Sequence, residues 1–285
     1  MKIVRNIRKI ALMSVFAFSM TCWGQILAIP SYVQPGDPTW EEWQKPKSVG
    51  IMIVNLNNGD DTTFYPDVLA AIQKTQKKGI SVLAYTYTGY GTRDPKIVKS
   101  KVKAASDNYH VDGIFFDEVP TSCEAPSPYA NDNLEYYRQL TNYARKFAGP
   151  DITVLNPGTQ PPTDCGWMSI ASILVTFEDA TYATYKDTYV DYAWMHVYGR
   201  ERFWHLIYLV SGEREMKKTL ELARQRRAGW VYVTDDGPDG NPWDNIPSYW
   251  AAEARDVSMC KDFAPSWYKT FLRCCIAGSA PRDNE

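Results

Sequence analysis

Several features common in nucleotide-, metal- and nucleic-acid-binding proteins are scarce or missing in this chain of 285 residues. It has only three histidines, scattered along the sequence at His110, His196 and His205. The chain contains no His-Glu-x-x-His metal motif, no Walker loop and no Gly-x-Ser-x-Gly nucleophile motif. Its formal net charge is −2, and the two signs are mixed along the chain, so no nucleic-acid surface is indicated. We therefore expect no metal, no cofactor and no nucleic-acid partner.

The chain also lacks an apolar run long enough for an ordinary membrane-spanning helix, although a shorter run lies near its start. Lysine and arginine residues precede the apolar segment 10–18, and the small residues Cys22 and Gly24 follow it. This order is typical of a secretory signal peptide. We predict that residues 1–24 are a signal peptide, or an anchor where the segment is retained. The protein is then expected to be secreted or at the cell surface, with membrane contact only through a retained anchor.

Cysteine is infrequent and does not follow a metal-binding spacing. Removal of the leader leaves five cysteines, an odd number that allows two disulfides and one free thiol. Cys123 and Cys165 each follow a predicted strand end, so they are candidates for a bridge between loops on one face. The adjacent residues Cys274 and Cys275 cannot easily bridge to each other.

Apolar, β-favouring segments alternate with helical patterns or long connections along most of the chain. We predict eight strands, centred near residues 28, 52, 83, 114, 154, 173, 206 and 232. This order fits a doubly wound sheet or a closed barrel, and eight units in about 250 residues is the usual size of the barrel. We therefore predict one (β/α)8 TIM barrel over residues 25–260, with a tail at 261–285, and expect a monomer.

Polar side chains follow most of the predicted strands at the point where each strand ends. The carboxyl ends of barrel strands meet at one rim, which is where the active sites of such barrels lie. Asp117 and Glu118 directly follow an apolar strand, and Glu178 follows the predicted strand 169–177. We predict that these three acids are catalytic. The other predicted strand-end residues are Tyr32, Asn55, Tyr87, Asn156 and, as a weaker candidate, Asp235.

Three carboxylates around one pocket are compatible with two kinds of chemistry. They can hold a divalent metal, or act as general acid and as nucleophile or base on a glycosidic bond. Glycoside hydrolysis needs one protonated and one ionised carboxyl group, a difference that crowded acids in an aromatic-rich cleft favour. The aromatic residues are abundant, with 10 Trp, 19 Tyr and 10 Phe. The predicted substrate contacts are Tyr32, Asn55, Tyr87, Asn156, His205, Tyr208, Asp235 and Trp243.

A set of segments, in order over nearly the whole chain after the leader, resembles the spherulin-4 (spherulation-specific) family. These segments are Ile29-Pro30-Ser31-Tyr32 with Pro35 and Trp40, Tyr87 to Arg93, Asp112 to Glu118, Asn156-Pro157-Gly158-Thr159, Phe177-Glu178, His205 with Tyr208, and Gly229 to Asp235 leading to Asn241 through Trp250. One departure is Asn57-Asn58-Gly59-Asp60, where the family pattern leads us to expect a loop resembling Gly-Pro-Gly.

The resemblance implies an exported (β/α)8 glycoside hydrolase of the family 135 type. Characterised relatives cleave α-1,4-linked N-acetylgalactosamine or galactosamine polymers such as galactosaminogalactan, and their acidic residues correspond here to Asp117, Glu118 and Glu178. On this basis we expect an endo-acting enzyme in which Asp117 and Glu178 supply the proton donor and the nucleophile or stabiliser. Glu118 is expected to tune their pKa values.

Two rival hypotheses remain open at this stage. The first is a carbohydrate-binding or spore-coat protein that kept the cleft and lost the chemistry, which binding without release of reducing ends would favour. The second is a metal-dependent hydrolase, which loss of activity in chelator would favour. The acid set argues against the former, and the lack of convergent histidines argues against the latter.

Overall fold

Eight parallel strands close into a barrel, which confirms the predicted fold class. The computed structural model describes residues 24–147 and 152–257, so the predicted tail and nearly all of the predicted leader lie outside the described residues. Each strand pairs with its neighbours in sequence, and β1 pairs with β8 to complete the circle. The strands are β1 (Ile26–Ile29), β2 (Val49–Val54), β3 (Ser81–Tyr87), β4 (Gly113–Asp117), β5 (Ile152–Leu155), β6 (Ile173–Ala180), β7 (Phe203–Tyr208) and β8 (Trp230–Val233).

Helices follow every strand and cover the outside of the barrel. No helix within the two described ranges is long and apolar enough to cross a membrane. The helices are α1 (Pro38–Trp43), α2 (Pro66–Lys77), α3 (Pro95–Tyr109), α4 (Asn133–Phe147), α5 (Trp167–Ile170), α6 (Tyr182–Thr188), α7 (Gly212–Gln225) and α8 (Trp250–Val257).

The predicted boundaries differ from the structure most clearly around β6. The predicted strand 169–177 begins instead as the short helix α5, and β6 then runs from Ile173 through the acid pair to Ala180. Helix α6, which follows at once, has no counterpart in the prediction. The reason is that α5 has only four residues, three of them buried and apolar, and the period of so short a segment does not distinguish a helix from a strand.

Aromatic rings fill the middle of the barrel. Phe115 of β4 packs against Trp204 of β7 with ring centroids 5.6 Å apart, a contact that crosses the barrel interior. On its other side Phe115 stacks on Tyr85 of β3, which in turn meets the edge of Tyr32. These rings form the floor beneath the carboxyl ends of the strands.

Strand β4, which carries two of the predicted catalytic acids, is held closely by its neighbours. A Cβ atom at Gly113 would lie 2.0 Å from the carbonyl oxygen of Ile152, so the close approach of β4 to β5 requires glycine. The preceding Asp112 is buried, and its carboxylate accepts hydrogen bonds from the Val82 main chain at 2.9 Å and the Gln76 side chain at 3.0 Å. Asp112 therefore ties α2 and β3 to the start of β4.

Candidate active site

Asp117, Asn156 and Glu178 meet at the carboxyl end of the barrel. Asp117 ends β4, Asn156 directly follows β5 and Glu178 lies within β6. The amide nitrogen of Asn156 donates to Asp117 Oδ1 at 2.8 Å and to Glu178 Oε2 at 2.6 Å. Because both hydrogen bonds share one nitrogen, the two carboxylate oxygens lie no farther apart than the sum of these distances, 5.4 Å. Acids separated by two βα units thus share one amide.

Asp117 accepts several hydrogen bonds in this position. The phenol of Tyr85 donates to Asp117 Oδ2 at 2.7 Å, Asn156 donates to the other oxygen, and the main-chain N–H of Glu118 also bonds the carboxylate. Burial is nevertheless the larger effect, and it raises the pKa of Asp117 above its ordinary value despite these donors. The donors stabilise the ionised form where water is largely excluded.

Glu178 is the acid whose protonation is shifted toward neutral pH. Burial, and next the negative charge of Asp117, raise its pKa to about 7. Hydrogen bonds from Asn156 and from the Trp243 side chain act in the opposite direction and only partly offset this shift. The two neighbouring acids therefore sit in environments that favour one proton on Glu178 while Asp117 is ionised.

A bulge in β6 directs Glu178 into the barrel. Val175 pairs with the interior residue Trp204, and Phe177 pairs with His205, so Thr176 is an extra residue in the ladder. Strict alternation from Val175 would place Glu178 on the opposite, helix-facing side of the sheet. The extra residue reverses the alternation, and Glu178 turns toward Asn156.

Glu118 lies next to this pair but is bonded to a different part of the molecule. Its main chain has a positive φ of 54°, and its carboxylate accepts the N–H of Gly89 at 3.1 Å. Its carbonyl oxygen accepts from Tyr90 N–H at 2.7 Å and from the Thr88 hydroxyl at 2.9 Å. The Glu118 carboxylate thus bonds the loop after β3, and its main-chain N–H bonds Asp117 and lowers the pKa of that acid.

Tyr32 and Asn55 extend the hydrogen-bond network away from Asp117. The Tyr32 phenol is hydrogen-bonded to both Tyr85 and Asn55, and burial followed by the charge of Asp117 raises its pKa. The side-chain oxygen of Asn55 accepts the N–H of Gly59 at 3.0 Å, which fixes the loop after β2. Tyr32 and Asn55, both predicted site residues, are thus connected to Asp117 by hydrogen bonds that pass through Tyr85.

Tyr87, Tyr208 and Trp243 also lie at the mouth. The Tyr87 ring is covered by the Arg93 guanidinium at 3.7 Å, and Arg93 is in turn paired with Asp60. Tyr208 and Trp243 meet edge to face with centroids 5.9 Å apart beside Glu178. They form an aromatic wall beside Glu178.

Asp235 lies at the mouth, but its side chain stabilises the loop after β8. Its carboxylate accepts the N–H of Ser248 at 3.1 Å and also bonds the Ser248 hydroxyl. These bonds fix the segment that leads into α8, so Asp235 supports the loop that carries Trp243.

The structure corrects the predicted substrate contact of His205. Its side chain is fully buried and faces the helices, with Nδ1 2.6 Å from the Tyr185 hydroxyl and Nε2 2.9 Å from the Thr176 hydroxyl. Burial lowers the pKa of His205 to about 3, and the charge of Arg226 adds to the effect. His205 is therefore a neutral, hydrogen-bonded core residue. In the described ranges, no group of three or more His, Cys, Asp or Glu side chains is arranged to hold a metal ion.

Sequence reasoning missed Tyr85 and did not use Tyr90. Tyr85 lies two positions before Tyr87 on the same face of β3, so the period of two that places strand residues was the signal available. The predicted bridge between Cys123 and Cys165 is confirmed, and it joins the loop after β4 to the loop after β5. These are the loops that follow Asp117 and carry Asn156.

Comparisons with known proteins give the chain its family. Spherulin-4 of Physarum polycephalum is 27% identical over 243 residues, which cover 81% of this chain and 69% of that protein. The crystal structure of Aspergillus clavatus Sph3 in complex with GalNAc matches with a TM-score of 0.68 at 23% identity, over 82% of this chain and 98% of that one. Alpha-L-fucosidase isoenzyme 2 from Paenibacillus thiaminolyticus matches with a TM-score of 0.52 at 13% identity, over 88% and 50%. The model of spherulation-specific family 4 matches residues 26–257, and the chain belongs to this family.

Proposed function

We propose that the protein is an endo-acting glycoside hydrolase that cleaves an α-1,4-linked galactosamine or N-acetylgalactosamine polymer. The observation that carries the proposal is the Asn156 amide that bridges Asp117 and Glu178 at the barrel mouth. Two neighbouring carboxyl groups with raised pKa values at the rim of an aromatic cleft do not stabilise a fold. Cleavage of a glycosidic bond, in contrast, needs such a pair. The resemblance to Sph3, solved with GalNAc, supports an amino-sugar substrate.

Glu178 is assigned as the proton donor. Its pKa of about 7 keeps a large fraction protonated at neutral and mildly acidic pH, which lets it protonate the leaving glycosidic oxygen. As that oxygen leaves, positive charge develops on the sugar ring. Water that enters the emptied position then attacks the anomeric carbon while the Glu178 carboxylate takes its proton. The new C–O bond releases the sugar as a free reducing end, any bond between that carbon and Asp117 breaks, and both acids return to their starting states.

Asp117 is assigned as the nucleophile or charge stabiliser. Three donors hold its carboxylate in one orientation, and its negative charge faces the developing cation. The upper bound of 5.4 Å between the closest oxygens of Asp117 and Glu178 suits the short carboxyl spacing of retaining enzymes, about 5–5.5 Å, rather than the spacing of about 6.5–9.5 Å in inverting ones. Where the N-acetyl group of the sugar makes the attack, the same carboxylate orients that amide.

The charge of the mouth supports a substrate with amino groups. Within the described chain, the loops that join each strand to the next helix contain a single basic residue, Arg93, and it is paired with Asp60. A cleft lined by one sign of charge attracts ligands of the other sign. The acidic residues of these loops are Asp37, Asp60, Asp61, Asp94, Glu118, Glu124, Asp132, Asp164, Asp235, Asp236, Asp239 and Asp244.

The remaining assignments concern substrate contacts and location. Tyr208 and Trp243 stand beside Glu178 and are assigned to sugar contacts, and Tyr32 and Asn55 hold Tyr85 against Asp117. A polysaccharide substrate lies outside the cell or at its surface, which agrees with the leader expected at residues 1–24.

The decisive experiment is incubation of the purified protein with acetylated and partly de-N-acetylated galactosamine polymers, followed by mass analysis of the products. Release of oligomers of several lengths is the expected result, and anomeric configuration measured early in the reaction reports retention or inversion. The matched control is Glu178→Gln, which keeps the hydrogen bond from Asn156 but cannot donate a carboxylic proton. Polymer binding without any released reducing ends contradicts hydrolysis and favours a non-catalytic carbohydrate-binding protein.

A further inference from the structure

Tyr90 is the most exposed aromatic side chain near the carboxylates, and the chemistry described above does not use it. It lies between β3 and α3 in the sequence Gly89-Tyr90-Gly91, and 63% of its surface is accessible. Large rings that remain exposed beside a polar cleft are common at ligand-binding surfaces. The question is what holds this ring in place.

The main chain at Tyr90 adopts a conformation that a bulky residue rarely takes. Its φ is +53°, and the two flanking glycines also have positive φ values of 57° and 83°. A tyrosine in the left-handed region is strained, and such strain persists where the surroundings impose it. A glycine would adopt this turn more easily, so the sequence retains a ring at a position where local conformation favours none.

The contacts that hold this turn come from the loop that follows β4. Tyr90 N–H donates to the Glu118 carbonyl oxygen at 2.7 Å, and Gly89 N–H donates to the Glu118 carboxylate at 3.1 Å. On the other side, the Ser127 hydroxyl donates to the Gly91 carbonyl oxygen at 3.1 Å. The turn is therefore clamped between two parts of the loop that follows β4, directly next to Asp117.

The position of the ring is consistent with a place over the cleft. Partial burial raises the pKa of the Tyr90 phenol, and the charges of Glu118, Asp117 and Glu178 each raise it further. Other exposed aromatic residues are placed differently: Phe64 stacks on Tyr109 with centroids 6.1 Å apart, away from the acids.

We infer that Tyr90 is a sugar-stacking platform beside the acid pair, and that Glu118 is the positioning residue that presents it. The inference rests on the proposed function for the identity of the ligand, an amino-sugar polymer. A pyranose ring offers one apolar face of C–H groups, which packs on a flat aromatic ring, and an extended polymer needs contacts beyond the cleaved bond. The strain at Tyr90 is thus linked to binding.

The test separates binding from turnover. Binding of galactosamine and N-acetylgalactosamine oligomers is measured by calorimetry in a Glu178→Gln background that carries Tyr90, Tyr90→Phe or Tyr90→Gly. Tyr90→Phe keeps the ring and is expected to bind within about twofold of its parent, whereas Tyr90→Gly is expected to bind about tenfold more weakly, as for a central contact residue. Phe64→Ala removes another exposed ring and is expected to leave binding unchanged.

Two further readouts exclude a purely structural role. The Tm of Tyr90→Gly is expected to be no lower than that of wild type, because the substitution relieves a positive φ. In the chain with Glu178, Tyr90→Gly is expected to raise KM much more than it lowers kcat.

The possible failures are distinguishable. Equal affinity of Tyr90→Gly and its parent overturns the platform, even where wild type cleaves the polymer. Weakened binding in Tyr90→Gly together with no release of oligomers by wild type supports the platform and overturns the hydrolase. A lower Tm with proportionate loss of all activity assigns Tyr90 to structure and overturns the inference. No binding by any variant overturns both proposals.

Discussion

Two regions of the molecule contain a buried or partly buried glutamic acid with a raised pKa, and only one of them is arranged for chemistry. At the mouth, Glu178 faces a second carboxylate and shares an amide donor with it. In α8, Glu253 is fully buried, and burial raises its pKa well above the ordinary value of 4.5. The shift of the pKa therefore does not by itself identify a catalytic acid.

The difference lies in the partners. One Glu253 oxygen accepts the N–H of Val233 at 2.9 Å, and the other has no hydrogen-bond partner in the described part of the chain. This arrangement fixes α8 to the end of β8 and leaves no room for a polymer. Glu178 instead has a paired acid, an aromatic wall and access to solvent at the rim. A catalytic carboxyl group needs that combination.

Matched substitutions at the two acids provide the strongest test of this difference. Glu178→Gln is expected to lower turnover by about 10²–10⁴-fold, because the proton donor is lost while the shape is kept. Glu253→Gln keeps an oxygen for Val233 N–H and is expected to leave turnover within about twofold. Reducing-end assays of both variants, with circular dichroism to verify folding, measure the effect. Equal losses of turnover in the two folded variants would contradict the assignment of Glu178.

A second pair of substitutions compares a phenol at the mouth with a buried phenol of α6, outside the barrel. Tyr85→Phe removes the donor to Asp117 and is expected to lower kcat about tenfold and to raise the pKa of Asp117, which shifts the acidic limb of the activity profile upward. Tyr185→Phe leaves buried His205 without its partner at Nδ1 and is expected to cost about 1–3 kcal/mol of stability at unchanged kcat. Chemical denaturation and pH–rate profiles measure the two effects. A stability loss in Tyr85→Phe as large as that in Tyr185→Phe would argue that Tyr85 is structural.

The response to pH is also expected to differ between the two regions, in activity for Glu178 and in stability for Glu253. Activity should fall as pH rises through about 7, because Glu178 then loses the proton that it donates. Stability responds to Glu253 differently: its folded-state pKa lies above the unfolded value, so the unfolded chain releases the proton first and stability falls as pH rises above about 4.5. The Tm of Glu253→Gln minus that of wild type should therefore grow from pH 4.5 upward. A constant difference across that range would show that Glu253 is not held in its neutral form.

Much of the fold and part of the site could be predicted from the sequence. Apolar strands that end in polar side chains identified Asp117, Glu118 and Asn156, because strand ends in a barrel converge on one rim. Glu178 was also found, but for an incomplete reason: β6 continues past it, and the bulge at Thr176 turns it inward. Nothing in the alternation of apolar residues reports that extra residue, because Val175, Thr176 and Phe177 are all buried.

His205 shows the opposite limit. Its sequence neighbours are apolar on both sides, and only the pairing of β6 with β7 decides whether it faces the cleft or the helices. Tyr85 and Tyr87 share a face of β3, but their depth in the barrel determines that the former bonds Asp117 while the latter packs under Arg93. The depth of a side chain in the barrel, and the side of the sheet that it faces, depend on contacts between strands that are distant in sequence. A single sequence does not state these contacts explicitly.

The smallest expected effect concerns salt, and it separates the exposed acids of the mouth from the buried acid behind β8. Counterions screen exposed charges, with a Debye length that falls from about 10 Å at 0.1 M to about 3 Å at 1 M, and they do not reach Glu253. Added salt is therefore expected to raise KM about two- to fivefold for a partly de-N-acetylated, cationic polymer, while KM for the fully acetylated polymer stays nearly constant. The Tm difference between Glu253→Gln and wild type should not respond. An equal rise of KM for both polymers would contradict attraction by the acidic loops and would leave a general effect of salt on the substrate as the explanation.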